Sequence, residues 1–325
     1  MIMDSEKPIS SLGFSHACWS LIRLSRFDRY NSLLALFPSI FTTLLAGALR
    51  LRQNPNEVSL GFVFSQALKC ALHCYVFSGA GMVWNDWIDC DIDAKVERTK
   101  NRPLASGQVR VSHALIWMAI QYLAAGAILR SAVDNPSVLG FALAFETIGT
   151  AWYPFGKRPA ARKWYIYPQF VLGALGLPLV VSGWAAIYYP ERLGLLESIQ
   201  RALPLSFLMF IWTLYYNTAY SYQDVGDDRK LDVHSMYVLA GQNIHAFIVA
   251  LGVLVLGNII WVLVDVESTW LWFSWMGVWT IAYFSQFHQF DPARPETGGF
   301  VHKQNVKLGV WAVFACMVEV LLAGM

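Results

Sequence analysis

Charge is scarce in this chain. Of its 325 residues only 14% are Asp, Glu, Lys or Arg, where soluble domains carry nearer a quarter, and that excludes an ordinary soluble domain. The net charge is only +2, so nothing in the overall balance asks for a nucleic-acid partner. Cysteine is sparse too. Cys18, Cys70, Cys74, Cys90 and Cys316 are scattered and odd in number, which excludes a disulfide framework. Lys69, Cys70, His73 and Cys74 sit close in sequence, but one helical turn supplies too few ligands for zinc and no second pair follows. Buried thiols and a packed histidine are the better reading. The first residues, MIMDSEKPISSLGF, lack an apolar signal core and contain Asp4 and Glu6, whereas mitochondrial transit sequences are rich in Arg and poor in acids. The expected destination is the endoplasmic reticulum membrane, entered by the first apolar span.

What is abundant is apolar sequence. Hydrophobic residues make up 56% of the chain and fall in blocks of about 20, long enough to cross a bilayer core of ~30 Å as helices. Nine spans are expected, at 30–49, 61–84, 112–131, 137–155, 165–189, 202–221, 238–263, 268–287 and 306–324. With the N-terminus on the cytosolic side, 18 of the 24 Lys and Arg residues fall on that side and five (Arg50, Arg52, Arg130, Arg192 and Arg201) on the other. Such a bias over short loops sets orientation. The chain therefore reads as one all-α, multi-pass membrane domain over residues 1–325.

The few charges are concentrated. Span 2 ends in "VWNDWIDCDIDAKVERTKNRPLASGQV", which holds Asp86, Asp89, Asp91 and Asp93, then Lys95, Arg98, Lys100, Arg102 and Arg110. Span 6 ends in "NTAYSYQDVGDDRKLDVHS", with Asp224, Asp227, Asp228 and Asp232 followed by Arg229 and Lys230. One such patch is usually a solvated loop or a topology signal. Two, four spans apart and leaving the membrane on the same face, indicate two related four-helix halves plus a ninth helix, with both clusters facing a central cavity.

On a continuous helix Asp86, Asp89 and Asp93 share an arc of about 60°, which Asn85 widens to about 100°, while Asp91 points elsewhere. Asp224 and Asp228 are one turn apart. Stacked carboxylates near a bilayer repel and are poorly screened, so a cation must compensate. The bases lie downstream on loops, and Mg²⁺ is the better fit, because it prefers hard oxygen ligands and is held by one or two carboxylates plus substrate phosphates. The pattern reads as a Mg–diphosphate site, with Arg and Lys neutralising further phosphate oxygens.

The first stretch resembles the N-D-x-x-D-x-x-x-D motif of the UbiA family of intramembrane prenyltransferases, at Asn85, Asp86, Asp89 and Asp93, followed by a similar "RTKNRPLASG". The second resembles its D-x-x-x-D motif, at Asp224 and Asp228. "YPFGKR" (Tyr153 to Arg158) with "YPQFVLGALGLP", and more weakly "RLSRFDRYNSLLALFPSIFTTLLAG", look like the same family. Tyr30 stands where the family often has proline, and Asp232 and His234 where it often has Gly then Lys or Arg; both departures bear on the acceptor side.

The resemblance implies an enzyme that transfers an alkyl group other than methyl. Asn85, Asp86, Asp89, Asp93, Asp224 and Asp228 would hold Mg²⁺. Arg26, Arg98, Arg102, Lys157 and Lys230 would contact an isoprenyl diphosphate, and the Tyr153 ring, one turn before Lys157, would face the allylic cation. An aromatic small molecule would then attack that cation. The partners are these two substrates and membrane lipid; nothing in the sequence names a protein partner. Its run of motifs looks like the fungal branch, whose meroterpenoid enzymes attach farnesyl or geranylgeranyl groups to phenolic polyketides or pyrones. Two alternatives share the aspartate motifs: a membrane terpene cyclase that needs no acceptor, and the 4-hydroxybenzoate polyprenyltransferase of ubiquinone synthesis. A transporter would place its charges near mid-membrane, and here they gather at one face.

Overall fold

Long apolar runs whose ends are marked by capping side chains make this chain helical. Ser59 accepts from the Phe62 amide at the start of one helix, and Asn135 accepts from the Ser137 amide just before Pro136, the first residue of another, so orphan amides at both starts are met. A computed structural model describes residues 14–189 and 192–325, and no strand occurs among them. The stretch with Asp4 and Glu6, on which the targeting expectation rests, lies outside the described residues.

In chain order the helices are α1 (Phe14–Leu24), α2 (Phe37–Gln53), α3 (Leu60–Ile88), α4 (Cys90–Asp93), α5 (Val111–Ala132), α6 (Pro136–Trp152), α7 (Pro168–Ala174), α8 (Gly176–Ile187), α9 (Leu195–Tyr222), α10 (Val225–Lys230), α11 (Met236–Ala240), α12 (Ile244–Val266), α13 (Thr269–Leu271), α14 (Val278–Gln289) and α15 (Thr297–Ala323). Among the described residues six helical stretches are long and apolar enough to cross a membrane, fewer than the nine expected. The other three expected spans are helical but shorter or broken. α2 and α6 have 17 residues each, and a π-helical stretch, Trp272–Gly277, separates α13 from α14. The first span also starts later than expected, at Phe37, because residues 30–35 form a 3₁₀ turn. The last starts earlier, at Thr297.

The helices alternate between two ends. At one end, Arg50 donates to the Ile187 carbonyl at 2.6 Å and Arg52 to the Val266 carbonyl at 3.0 Å. Gln66 donates to the carbonyls of Ala132 and Ala186. These groups cap the exposed C-terminal carbonyls of α5, α8 and α12. Glu319 joins the same end by accepting from Arg52 and Ser268. All the acidic motif residues lie at the opposite end.

α3 packs on α5 and α9 on α12, while α2 and α8 pack against each other across the two halves. A buried pair binds the first half: His73 contacts the Ala125 carbonyl at 2.9 Å and the Glu146 carboxylate at 3.1 Å, linking α3, α5 and α6. This bears out the packed-histidine reading, with Cys70 and Cys74 buried beside it. The second half is packed with aromatics. Trp212, Trp275, Trp279, Tyr215 and Tyr283 are fully buried.

α15 crosses α9 very closely. A Cβ on Gly298 would stand 1.9 Å from the Ala219 carbonyl oxygen, which is rigid backbone. Gly298→Ala gains about 1 kcal/mol of helix propensity but must force the helices apart, an overpacking cost of about 1–3 kcal/mol. The variant is expected to melt at a lower temperature than the wild type in detergent.

Candidate active site

The two motifs are built alike. α3 does not run through its cluster: it ends at Ile88, Asp89 leaves helical geometry at φ −91°, ψ 8°, and α4 begins at Cys90. α9 ends at Tyr222 and Asp224 has φ −95°, ψ 6° before α10. The Asp93 amide donates to the Asp89 carbonyl at 2.8 Å and the Asp228 amide to the Asp224 carbonyl at 2.9 Å. Asp89 and Asp93 thus correspond to Asp224 and Asp228. The single-helix arc expected from the sequence is corrected to a helix, a break and a short second helix, used twice.

The bases come from loops and turns, as expected, and they reach the carboxylates directly. Asp86 is 1% exposed, and Arg26 Nη2 donates to both its oxygens, at 2.7 and 2.8 Å. Arg26 does this from a left-handed backbone conformation, φ 60°, a strained state for a side chain of its size. Arg102 Nη1 bridges Asp86 at 3.1 Å and Asp93 at 2.6 Å. Lys157 Nζ donates to Asn85 Oδ1 at 2.7 Å and Asp89 Oδ2 at 2.6 Å, and lies 4.7 Å from the centre of the Tyr153 ring.

Arg98, from the loop after α4, crosses to the other half. Its Nε and Nη2 clamp Asp224 at 2.9 and 2.5 Å, and its Nη1 donates to the Tyr220 hydroxyl at 3.2 Å. The His234 amide donates to the Lys157 carbonyl at 2.8 Å, a second tie between halves. A cavity of about 380 Å³ at this seam is lined by Arg98, Asp224, Asp227, Glu97 and Glu296.

Ten of the expected site residues therefore meet in one mouth, with Tyr153 behind Lys157. Lys230 does not join them. It is exposed and its Nζ stands on Asp227 at 3.3 Å, because α10 turns that face outward. Asp91 points away as expected, pairing with Arg158 at 3.2 Å. Two contributors were missed. Arg158, which donates to the Ile88 carbonyl at 2.6 Å and reaches Asp89, ends the quoted "YPFGKR" and was within reach of sequence reading. Tyr237, which donates to Asp228 at 2.8 Å, follows a loop and carries no sequence signal.

Charge balance is uneven. Burial pulls the Lys157 ammonium down, but Asp89 more than offsets this and holds it above the ordinary lysine value. Asp93 is raised by burial, which Arg102 only partly offsets. Asp228 is pushed up to about 6, chiefly by burial and further by Asp224, against the Tyr237 hydrogen bond. The two corresponding positions thus hold carboxyls that an added cation would stabilise. No three acidic, His or Cys side chains among the described residues converge tightly enough to hold a metal by themselves. An all-oxygen donor set with carboxylates from each half still fits Mg²⁺, which usually keeps waters and shares substrate phosphates.

The UbiA prenyltransferase family pattern matches residues 39–303. The chain belongs to this family. The polyprenyl transferase cle5 of Aspergillus versicolor is 50% identical over 305 residues, which cover 94% of this chain and 95% of that one. The polyprenyl transferase pyr6 of Aspergillus fumigatus is 47% identical over 303 residues, 93% and 94% of the two chains. Among solved structures, a UbiA homolog from Aeropyrum pernix K1 has a TM-score of 0.64 at 19% identity, covering 90% of this chain and 98% of its own. One from Archaeoglobus fulgidus, bound to GPP and Mg²⁺, has a TM-score of 0.57 at 14% identity, covering 91% and 99%. At such identities the structures speak for the fold. The chain is a membrane-embedded UbiA prenyltransferase.

Two outcomes are expected of this prenyltransferase. Asp86→Ala strands the buried Arg26 guanidinium and should cost about 3–5 kcal/mol of stability, read as a lower melting temperature, whereas Asp91→Ala on an exposed carboxylate should stay within about 0.5 kcal/mol. Asp228 binds more protons folded than unfolded, so its stabilising contribution is full below its ordinary value of 3.8 and is lost as pH rises through about 6. Metal-free melts across that window should show a fall with rising pH that is shallower in Asp228→Asn.

Proposed function

We propose that this enzyme moves a prenyl group, farnesyl in preference and geranylgeranyl as the next choice, from its diphosphate to a phenolic or pyrone polyketide, a step of meroterpenoid biosynthesis. The observation that carries the reading is the mouth itself: paired carboxylates in two matched helix breaks, interleaved with Arg26, Arg98, Arg102, Lys157 and Arg158. The fungal relatives named as polyprenyl transferases and the GPP- and Mg²⁺-bound homolog point the same way.

Asn85, Asp86, Asp89, Asp93, Asp224 and Asp228 are the oxygens that would hold Mg²⁺. Bound there, Mg²⁺ supplies Lewis acidity that favours departure of diphosphate. Lys157, Arg98 and Arg102 offer N–H donors to phosphate oxygens and stabilise the charge that develops on the leaving group. The Tyr153 ring, already under the Lys157 ammonium, presents a π face to an allylic cation. An electron-rich acceptor ring then attacks. The apolar tail of the donor is accommodated among membrane helices, which accounts for an enzyme embedded in lipid. The 18-to-five placement of basic residues supports a mouth facing the cytosol, with the endoplasmic reticulum as the membrane.

Microsomes containing the enzyme, given radiolabelled farnesyl diphosphate, Mg²⁺ and a panel of phenolic acids and pyrones, should form a prenylated aromatic that disappears without acceptor or with EDTA. A terpene hydrocarbon or alcohol made without acceptor would overturn the transfer reading in favour of a cyclase. Asp89→Ala and Asp228→Ala should each lower turnover by about 100-fold or more while membrane insertion is kept. Lys157→Ala should raise KM for the diphosphate. Lys230→Ala, standing off the cluster, should stay within about a factor of three.

A further inference from the structure

The carboxylates of the mouth are already engaged before an acceptor arrives. Prenylation of a phenol replaces a ring hydrogen, so a proton must leave the acceptor. The carboxylates Asp86, Asp89, Asp93 and Asp224 are each paired with a cation, and Asp228 accepts from the Tyr237 hydroxyl.

His302 lies on the other side of Arg98. It is on α15, one turn beyond Gly298, where the close crossing with α9 presses its ring against Tyr220 at 4.2 Å and Tyr216 at 5.8 Å between centroids. It is 5% exposed. No hydrogen bond joins its ring nitrogens to another described residue, in contrast to His73, whose two nitrogens meet the Ala125 carbonyl and Glu146. His234 is also unpartnered, but both its nitrogens are sealed from any accessible surface, and those of His302 are not. An imidazole whose nitrogens are unpartnered yet still reach accessible surface, behind an active-site mouth, is a place for a ligand. The charged group facing it is Arg98, within electrostatic reach. Arg98 in turn joins Tyr220 to Asp224. Tyr216 lies within electrostatic reach of Tyr153 across the seam. Two tyrosine faces and one imidazole thus stand beside the place where an allylic cation would form.

We propose that His302 is the base that takes the hydroxyl proton of the acceptor, with Tyr216 and Tyr220 as the wall on which the acceptor ring packs. The inference rests on the phenolic acceptor proposed above. The acceptor O–H bond breaks and its proton passes to a ring nitrogen of His302. The freed electron pair enters the ring, a ring carbon bonds to the allylic carbon, and the C–O bond to diphosphate breaks. The proton on the newly substituted carbon then leaves with diphosphate as the ring regains aromaticity, and His302 returns its proton to the oxygen. A neutral imidazole presents a ring-nitrogen lone pair that can accept such a proton and give it back.

The test uses full-length enzyme in nanodiscs and acceptors graded by hydroxyl acidity. His302→Ala should lower kcat by about 100-fold on a phenol that is neutral at the assay pH, leave KM for the prenyl diphosphate unchanged, and recover with added imidazole. On a fluorinated analogue that is already ionised the loss should largely vanish. His302→Gln, which keeps a polar side chain of similar reach, serves as a second variant should His302→Ala fail to fold, and should show the same acidity dependence. Undiminished activity on the neutral phenol would overturn the proposal. So would an equal loss on neutral and ionised acceptors without imidazole rescue, which would mark a packing role. If the wild type prenylates no phenol of any acidity, the functional reading fails and the inference falls with it. An active wild type beside an unimpaired His302→Ala would remove the inference alone.

Discussion

Carboxylates at the edge of a bilayer cannot remain ionised without cations beside them, and the acidic end of this protein is organised by that constraint. Asp86 and Asp89 are nearly fully buried. The loop carrying Arg98 and Arg102 folds back over the end of α3, Arg26 accepts a left-handed backbone to reach Asp86, and the turn after α6 delivers Lys157 to Asn85 and Asp89. Each detour of the chain ends in an ion pair with a motif carboxylate. The arrangement holds the mouth together in the absence of substrate, and it places the donors that a diphosphate needs where such a ligand would enter.

The second organising feature is duplication. Asp89 and Asp224 break their helices with nearly the same dihedral angles, and the positions four residues on, Asp93 and Asp228, both carry carboxyls raised by burial. The halves are not interchangeable, however. The first is compensated by Arg26, Arg102 and Lys157. In the second, Asp224 depends on an arginine from the first, and Asp228 has a tyrosine hydroxyl. The site is therefore a property of the seam between halves, and Arg98 is the residue that spans it.

The all-helical class, the spacing of the apolar blocks and the meeting of the two acidic clusters were legible in the sequence, because each is written in local pattern: runs of about 20 apolar residues and carboxylates four apart. What was not legible depended on backbone breaks and return paths. Nothing in "NDWIDCDID" announces that α3 stops at Ile88, so the continuous arc was the natural expectation, and nothing in Arg26 announces its turn. Lys230 lies near its motif in sequence, yet α10 points it at Asp227. Arg158 was quoted with its motif but received no role, since it is the 3₁₀ turn Tyr153–Lys157 that lets both adjacent bases reach Asp89. His302 carries no motif at all, and its setting comes from the Gly298 crossing.

The central claim is that the paired carboxylates take up metal together with diphosphate. Its most direct test is equilibrium binding of an unreactive farnesyl thiolodiphosphate to the full-length protein in nanodiscs, with Mg²⁺ and then with EDTA. The account predicts saturable binding with Mg²⁺ that is lost in EDTA. Equal affinity in both would contradict it, because the arginines and Lys157 alone would then be holding the diphosphate.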